Sequence, residues 1–312
     1  MNLQQLEYIV AVDNYRHFAK AAESCFVTQP TLSMMIQKLE EELKVRIFDR
    51  SRQPVEPTKA GELLIQQARK ILNESRRMYE IVHELNERTA GRLNIGIIPT
   101  LAPYLLPYFV KPLLEQHPDL EVHIEEMNTQ AITENLKSEQ IDVGILVTPL
   151  QEAHLQELPL FTERFFAYVA DSEQIYNKEY ILPKDLDLNR LWILEEGHCF
   201  RTQVLNLCEI RRDFQAEGRF KIAAGSFETV MNLVDNYGGL TIIPELVVLK
   251  MSEAGRQRLK SFSAPVPVRQ VSLVALDSFP RQKLLQALQQ EILASLPESL
   301  KIKHELERRI NI

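Results

Sequence analysis

Phe18-Ala19-Lys20-Ala21-Ala22-Glu23-Ser24-Cys25-Phe26-Val27-Thr28-Gln29-Pro30-Thr31-Leu32-Ser33 reads as a helix, a stop and a new start. The small residues of Phe18–Ala22 suit a short, closely packed helix. Thr28 is an N-cap residue, and Pro30 falls in the first turn of the next helix, where a missing N–H costs nothing. That helix is predicted from about Gln29 to Leu43, with Leu32, Ile36, Leu39 and Leu43 on its buried face. Leu3, Leu6, Ile9 and Val10 give a preceding segment its apolar stripe. Two short helices across a tight turn form a helix-turn-helix pattern.

The other face of the second helix carries the side chains that meet base edges and phosphates: Thr28, Gln29, Thr31, Ser33, Gln37 and Lys38, with Pro30 among them. No carboxylate occurs from Phe26 to Leu39. Arg46 to Pro54 reads as a strand and turn beside this helix, a wing that offers Arg50 and Arg52. The competing reading is a polar-faced helix in any small bundle. Cys25 is expected to be structural.

The whole chain has a net charge of −7 over 312 residues. Residues 1–90 hold 13 Lys/Arg and 13 Asp/Glu, so the acidic excess lies entirely in the remainder. DNA binding therefore needs a local cationic face rather than a basic domain. The chain has no apolar run long enough to span a membrane, and Met1–Glu7 lacks the basic start and apolar block of a secretory signal. A cytoplasmic protein is expected.

Residues 58–89 read as one long helix. Leu64, Ala68, Ile71, Ser75, Met78, Val82 and Leu85 step alternately by four and three, a heptad seam. A helix pair between two subunits is the expected use, against packing on the chain's own domain. After Gly91 short apolar strands alternate with helices. Strands are predicted at Leu93–Ile97, Glu121–Glu126, Val143–Val147, Arg164–Val169, Leu191–Leu194, Lys221–Ala223, Leu240–Ile243 and Val271–Leu276, which is an α/β pattern.

Two cysteines, Cys199 and Cys208, stand nine positions apart in a stretch that reads as a helix. Nine helical residues rise roughly 13 Å, whereas a disulfide needs Cα atoms within about 7 Å. Joining them demands that the helix give way. A thiol attacks peroxide as its thiolate, and a helix N-terminus, Arg201 and His198 are each placed to favour that form. Thr100 and Thr129 follow strands, as Cys199 does, and are hydroxyl donors able to orient a small ligand. Inert buried thiols, helix-capping threonines and a structural histidine are the competing readings. The cysteine and histidine spacing fits no zinc set, and no cofactor is expected.

The segments Phe18–Glu23, Thr28–Ser33, Ile36–Glu40, Ile47–Arg50 and Thr58–Gly61 closely resemble the DNA-binding domain of LysR-type transcriptional regulators. Gln37 departs from the arginine many relatives carry, and Glu56 adds a carboxylate to the wing. Leu194-Glu195-Glu196-Gly197-His198-Cys199-Phe200-Arg201 with Cys208, and Ile97-Ile98-Pro99-Thr100 with Pro103–Pro107, resemble the hydrogen-peroxide sensors of that family. The resemblance implies an all-α winged helix-turn-helix (1–58), a linker and dimerisation helix (59–90) and an α/β regulatory domain (91–312) like a periplasmic binding protein. Subdomain I would be about 91–162 and 268–300, and subdomain II about 163–267. It implies that Cys199 is the peroxidatic thiol and Cys208 the resolving one, with Thr100, Thr129, His198 and Arg201 around the peroxide. It also implies a homodimer or homotetramer on promoter DNA, RNA polymerase as partner, and a thiol-reducing system for reset. An enzyme, a thiol peroxidase, needs neither the DNA reader nor the helix seam. The alternative within the family is a regulator answering to a small organic effector in the inter-subdomain cleft.

Overall fold

The computed structural model describes residues 1–85, 90–150, 152–195, 199–208, 224–301 and 307–310, and the chain forms two units. The first contains α1 (Leu3–Tyr15), α2 (Phe18–Ser24), α3 (Gln29–Leu43), β1 (Phe48–Asp49), β2 (Glu56–Pro57) and α4 (Lys59–Leu85). Asn2 and Gln5 make a reciprocal capping box on α1. Thr28 caps α3 by accepting the Thr31 N–H, as its sequence signals. The core joins Leu6, Ile9 and Val12 of α1 to Leu32, Ile36 and Leu39 of α3, with Ile47, Phe48, Ile65 and Ala68; Cys25 packs on its edge. The wing is shorter than predicted, two residues against two, because Phe48↔Pro57 and Asp49↔Glu56 are its whole ladder. Glu40 of α3 anchors it: Oε1 accepts the N–H groups of Ile47 at 2.7 Å and Phe48 at 3.2 Å. Gly61 lets α4 start against this wing, since a Cβ there would lie 2.0 Å from the Ile47 carbonyl oxygen.

The second unit runs β3 (Gly91–Ile97), α5 (Ala102–Gln116), β4 (Leu120–Glu126), α6 (Thr129–Lys137), β5 (Val143–Thr148), β6 (Leu155–Val169), β7 (Tyr180–Ile181), β8 (Leu191–Trp192), α7 (Cys199–Leu207) and α8 (Phe227–Tyr237). It continues through β9 (Leu240–Pro244), α9 (Glu245–Lys250), α10 (Glu253–Arg256), β10 (Leu259–Phe262), β11 (Val266–Leu276), α11 (Gln282–Ser295), α12 (Glu298–Lys301) and β12 (Glu307–Arg309). Parallel β4-β3-β5 meets antiparallel β11 and β6 in the first half of the sheet. The 15-residue β6 belongs to both halves. It pairs with β11 up to Arg164 and with β9 from Phe165 on. The segment predicted as a strand from Arg164 is thus only the second half of a longer one. The strand predicted at Lys221–Ala223 lies outside the described residues.

The long α4 corrects one expectation. Ala68 is buried in the chain's own helical core, where Leu64 and Ile71 are also partly covered, while Ser75 is half-buried and Met78 exposed. The first half of the predicted seam therefore already packs within its own chain. The side chains of Val82 and Leu85 lie outside the described residues.

Candidate functional site

Three helix starts converge on one buried arginine. Thr100 stands in the turn between β3 and α5, Thr129 begins α6, and Cys199 begins α7. The arginine is Arg269 of β11, whose side chain has 0% exposure. Its Nη1 donates to the Thr100 hydroxyl at 3.3 Å and its Nη2 to the Thr100 carbonyl at 3.5 Å. Its Nε donates to Glu163 of β6 at 2.7 Å. The guanidinium carbon lies 5.0 Å from the centre of the Phe200 ring. Phe200 in turn meets Phe165 at 5.2 Å and Phe227 at 4.9 Å, both edge-on. These rings keep water from the pocket and raise the strength of every charge interaction inside it.

Cys199 is 7% exposed. Burial pushes its thiol up, against the pull of the Arg269 cation, the Thr129 hydroxyl and the backbone N–H groups of Phe200 and Cys199 at the head of α7. The expected depression is thus reversed in net direction, because desolvation of the sulfur outweighs the favourable groups. The cation also differs from the one expected. Arg201 donates to the Leu194 carbonyl at 3.2 Å instead. His198 lies outside the described residues. The Thr129 hydroxyl is buried and makes no protein hydrogen bond of ordinary geometry, yet it bears on the Cys199 sulfur. It is a polar group without its own partner beside a thiol.

Helix α7 is continuous from Cys199 to Leu207, and both cysteines are free thiols. Cys208 follows at its far end, its N–H bonded to the Val204 carbonyl at 3.0 Å, and burial pushes its thiol up to about 12. Gln203, one helical turn from Cys199, is fully buried and donates to the Ile310 carbonyl at 3.0 Å. Ile310 follows β12, which pairs with the start of β11. The strand that carries Arg269 thus also holds the C-terminal segment against the cysteine helix.

The sequence reading missed Arg269 and Glu163. The signal was present for Arg269, the one charge in Val266–Leu276, whereas Glu163 shares Leu155–Val169 with Glu157 and Arg164. A charge there is either exposed at an edge or paired.

In the first unit Thr28, Gln29, Pro30, Thr31, Gln37 and Lys38 are exposed, with Ser33 half-covered. Gln37 donates to Glu41 at 3.0 Å. Arg50, expected at the DNA, donates to Ser33 Oγ at 3.1 Å and to Glu40 at 3.2 Å. Arg52 pairs with Glu56 and Asp49. The Ser51 hydroxyl and amide hold Asp49 below the usual carboxylate range, so the wing keeps that negative charge at neutral pH. Among the described residues no group of His, Cys, Asp and Glu is placed to hold a metal ion, and no helix is long and apolar enough to cross a membrane.

Residues 3–62 match the bacterial regulatory helix-turn-helix proteins of the lysR family, and residues 86–297 match the LysR substrate binding domain. The hydrogen peroxide-inducible genes activator of Haemophilus influenzae is 37% identical over 276 residues, 88% of this chain and 90% of that protein. The DNA-binding transcriptional dual regulator OxyR of Escherichia coli K12 is 35% identical over 297 residues, 95% of this chain and 96% of its own length. Among solved structures, a full-length OxyR variant from Pseudomonas aeruginosa superposes with a TM-score of 0.76 at 33% identity, covering 95% of this chain and 99% of that one.

Proposed function

The chain belongs to the LysR family of bacterial regulators, and we propose that it is a hydrogen-peroxide-responsive activator of transcription whose sensor is Cys199. The observation that carries this reading is the buried thiol at the head of α7, facing the Arg269 cation and the unpartnered Thr129 hydroxyl, with a second thiol at the helix's far end. The full-length likeness to peroxide-inducible activators supports it.

The sulfur attacks one peroxide oxygen. An S–O bond forms as the O–O bond breaks, the thiol proton goes to the leaving oxygen, and water departs. Arg269 stabilises the thiolate as it forms. Thr100 accepts a hydrogen bond from Arg269, which leaves its own O–H to be donated to peroxide, and Thr129 offers a second hydroxyl. His198 is proposed beside them. Cys208 then attacks the sulfenic sulfur, a disulfide forms, and a second water leaves. Closing a loop of about ten residues is worth roughly 3 kcal/mol, whereas swinging a two-state equilibrium from 1:99 to 99:1 needs about 5.5 kcal/mol. Loop entropy alone is too small. The lever is exclusion: the bond and an intact α7 cannot coexist, and the Gln203–Ile310 contact goes with the helix.

The reading implies a homodimer or homotetramer on promoter DNA in the cytoplasm. Thr28, Gln29, Pro30, Thr31, Ser33, Gln37 and Lys38 meet the duplex, the second half of the α4 seam contributes to subunit pairing, RNA polymerase is recruited, and a thiol-reducing system resets the switch. The test is non-reducing peptide mapping and DNA footprinting on the same sample before and after a brief peroxide pulse. We expect a Cys199–Cys208 peptide pair and an altered footprint, both absent in Cys199→Ser. Cys208→Ser should still form sulfenic acid but lose the stable footprint change. A full, reversible response in Cys208→Ser would exclude the disulfide. An unaltered footprint after the pulse would turn attention to a small organic effector.

A further inference from the structure

Glu163 and Arg269 face each other across the β6–β11 ladder, and neither side chain exposes any surface. The steps above make no use of the carboxylate, although it fixes the cation they depend on. Its Oε1 lies 2.7 Å from both Nε and Nη2 of Arg269. Its Oε2 accepts the Leu246 N–H of α9 at 2.9 Å. Held on this side, the guanidinium can rotate little, and its outer edge presents Nη1 to the Thr100 hydroxyl.

Among the described residues the surroundings are sparse in charge. Burial pushes the Glu163 carboxyl up, and the Arg269 cation in contact with it and the Leu246 N–H oppose that rise; the other carboxylate bearing on it is Glu245 of α9, bonded to Arg164 of β6 through Nε at 3.0 Å and Nη2 at 2.6 Å. The groups acting on the Cys199 sulfur are Arg269, the Thr129 hydroxyl and the N–H groups of α7. Tyr104 of α5, which packs on Phe227, is engaged with Glu228 of α8 at 2.6 Å. Arg201 is turned to the Leu194 carbonyl. Among the described residues, the charges nearest a sulfur in this pocket are thus one cation and one anion in contact, whose combined field is much weaker than that of a lone guanidinium at low dielectric.

We propose that Glu163 is a positioning residue for the sensing thiol, which aims the Arg269 guanidinium at Thr100 and cancels enough of its charge to keep Cys199 protonated between oxidant pulses. This rests on the reading of Cys199 as the sensor. Its consequence is selectivity. A permanently ionised, partly accessible thiolate reacts with any electrophile, whereas a thiol restrained in this way waits for a small oxidant that the Thr100 and Thr129 hydroxyls can orient.

The experiment uses full-length protein carrying Cys25→Ser and Cys208→Ser, so that Cys199 is the sole thiol. Iodoacetamide alkylation is followed from pH 5 to 10; the sulfur–carbon bond forms, iodide leaves, and the thiol proton goes to solvent. Glu163→Gln is expected to move the midpoint down by about one pH unit, which is about tenfold in thiolate at pH 7. Glu163→Asp, which keeps the charge and serves if the glutamine variant does not fold, moves it less and in the same direction. The Glu163→Gln/Arg269→Gln pair returns the midpoint to the parent value or above. A purely structural role lowers folding stability without this ordering. Parental midpoints in both single variants, or an unreversed shift in the double one, would overturn the proposal. A peroxide response that survives Cys199→Ser defeats the sensor reading instead, and the alkylation profile distinguishes the two failures.

Discussion

Arg50 and Arg269 are held by the same three kinds of part in two different units. Arg50 bonds a glutamate, Glu40, and a hydroxyl, Ser33, and lies 5.1 Å from the centre of a phenylalanine ring, Phe18. Arg269 bonds Glu163 and the Thr100 hydroxyl and lies 5.0 Å from the ring of Phe200. The difference is water. The Arg50 side chain is 41% exposed and that of Arg269 is 0% exposed. In solvent the arrangement is a weak brace that fixes the wing. In the interior the same chemistry becomes a tightly held charge pair beside a thiol, because no water screens the two partners from each other.

The comparison is tested most severely by breaking both pairs. Arg269→Ala should cost about 3–5 kcal/mol of stability by leaving the buried Glu163 carboxyl without its partner, read from the urea midpoint. Arg50→Ala should cost about 1 kcal/mol or less in the same assay. Equal losses would show that burial does not separate the two.

Next in size is the pH dependence of the buried side. Burial raises both Cys199 and Cys208 above their unfolded values, the latter to about 12. Above about pH 8.5 the unfolded chain gives up thiol protons that the folded chain keeps. Stability should therefore be intact below that pH and decline as pH rises toward 12. Cys208→Ser should flatten part of the decline in thermal melts taken between pH 8 and 11.

The capping hydroxyl of the reading helix comes third. Thr28→Ala should cost about 1 kcal/mol and weaken promoter binding, while leaving the alkylation rate of Cys199 unchanged. The smallest effect belongs to the wing. Glu56→Gln frees Arg52 from one of its two carboxylates. It should tighten DNA binding modestly and steepen the slope of log affinity against log salt by about one, measured by fluorescence anisotropy from 50 to 200 mM salt.

The first unit was legible in the sequence to the level of single residues. Thr28 caps α3, Pro30 enters its first turn, and Leu32, Ile36 and Leu39 are its buried face. Caps and helical periodicity act over three or four positions, so a linear reading can see them. The heptad seam shows the limit of that reading. Its spacing is real, but spacing does not say which surface fills it, and Ala68 is filled from within the chain. The wing likewise offers Arg50 in the sequence, but not that Glu40, ten positions back, bonds it.

The pocket around Cys199 was legible only in part. Thr100, Thr129 and Cys199 could be placed after strands and at helix starts, because those junctions are local. Their cation could not. Arg201 was the near candidate and faces a backbone carbonyl, while the group that serves lies 70 positions beyond Cys199 on a strand whose register is set by β6. The direction of the thiol's shift failed for the same reason, since burial is a sum over residues distant in the chain.

The order of residues thus determined by itself the helix-turn-helix, the alternating strands and helices, and a pair of thiols nine positions apart on one helix, all features fixed by short-range periodicity and backbone capping. The folded chain alone decided that Arg269 and Glu163 meet out of water beside Cys199. That meeting depends on strand register and on the dielectric of a packed interior, and neither is written in any local stretch of sequence.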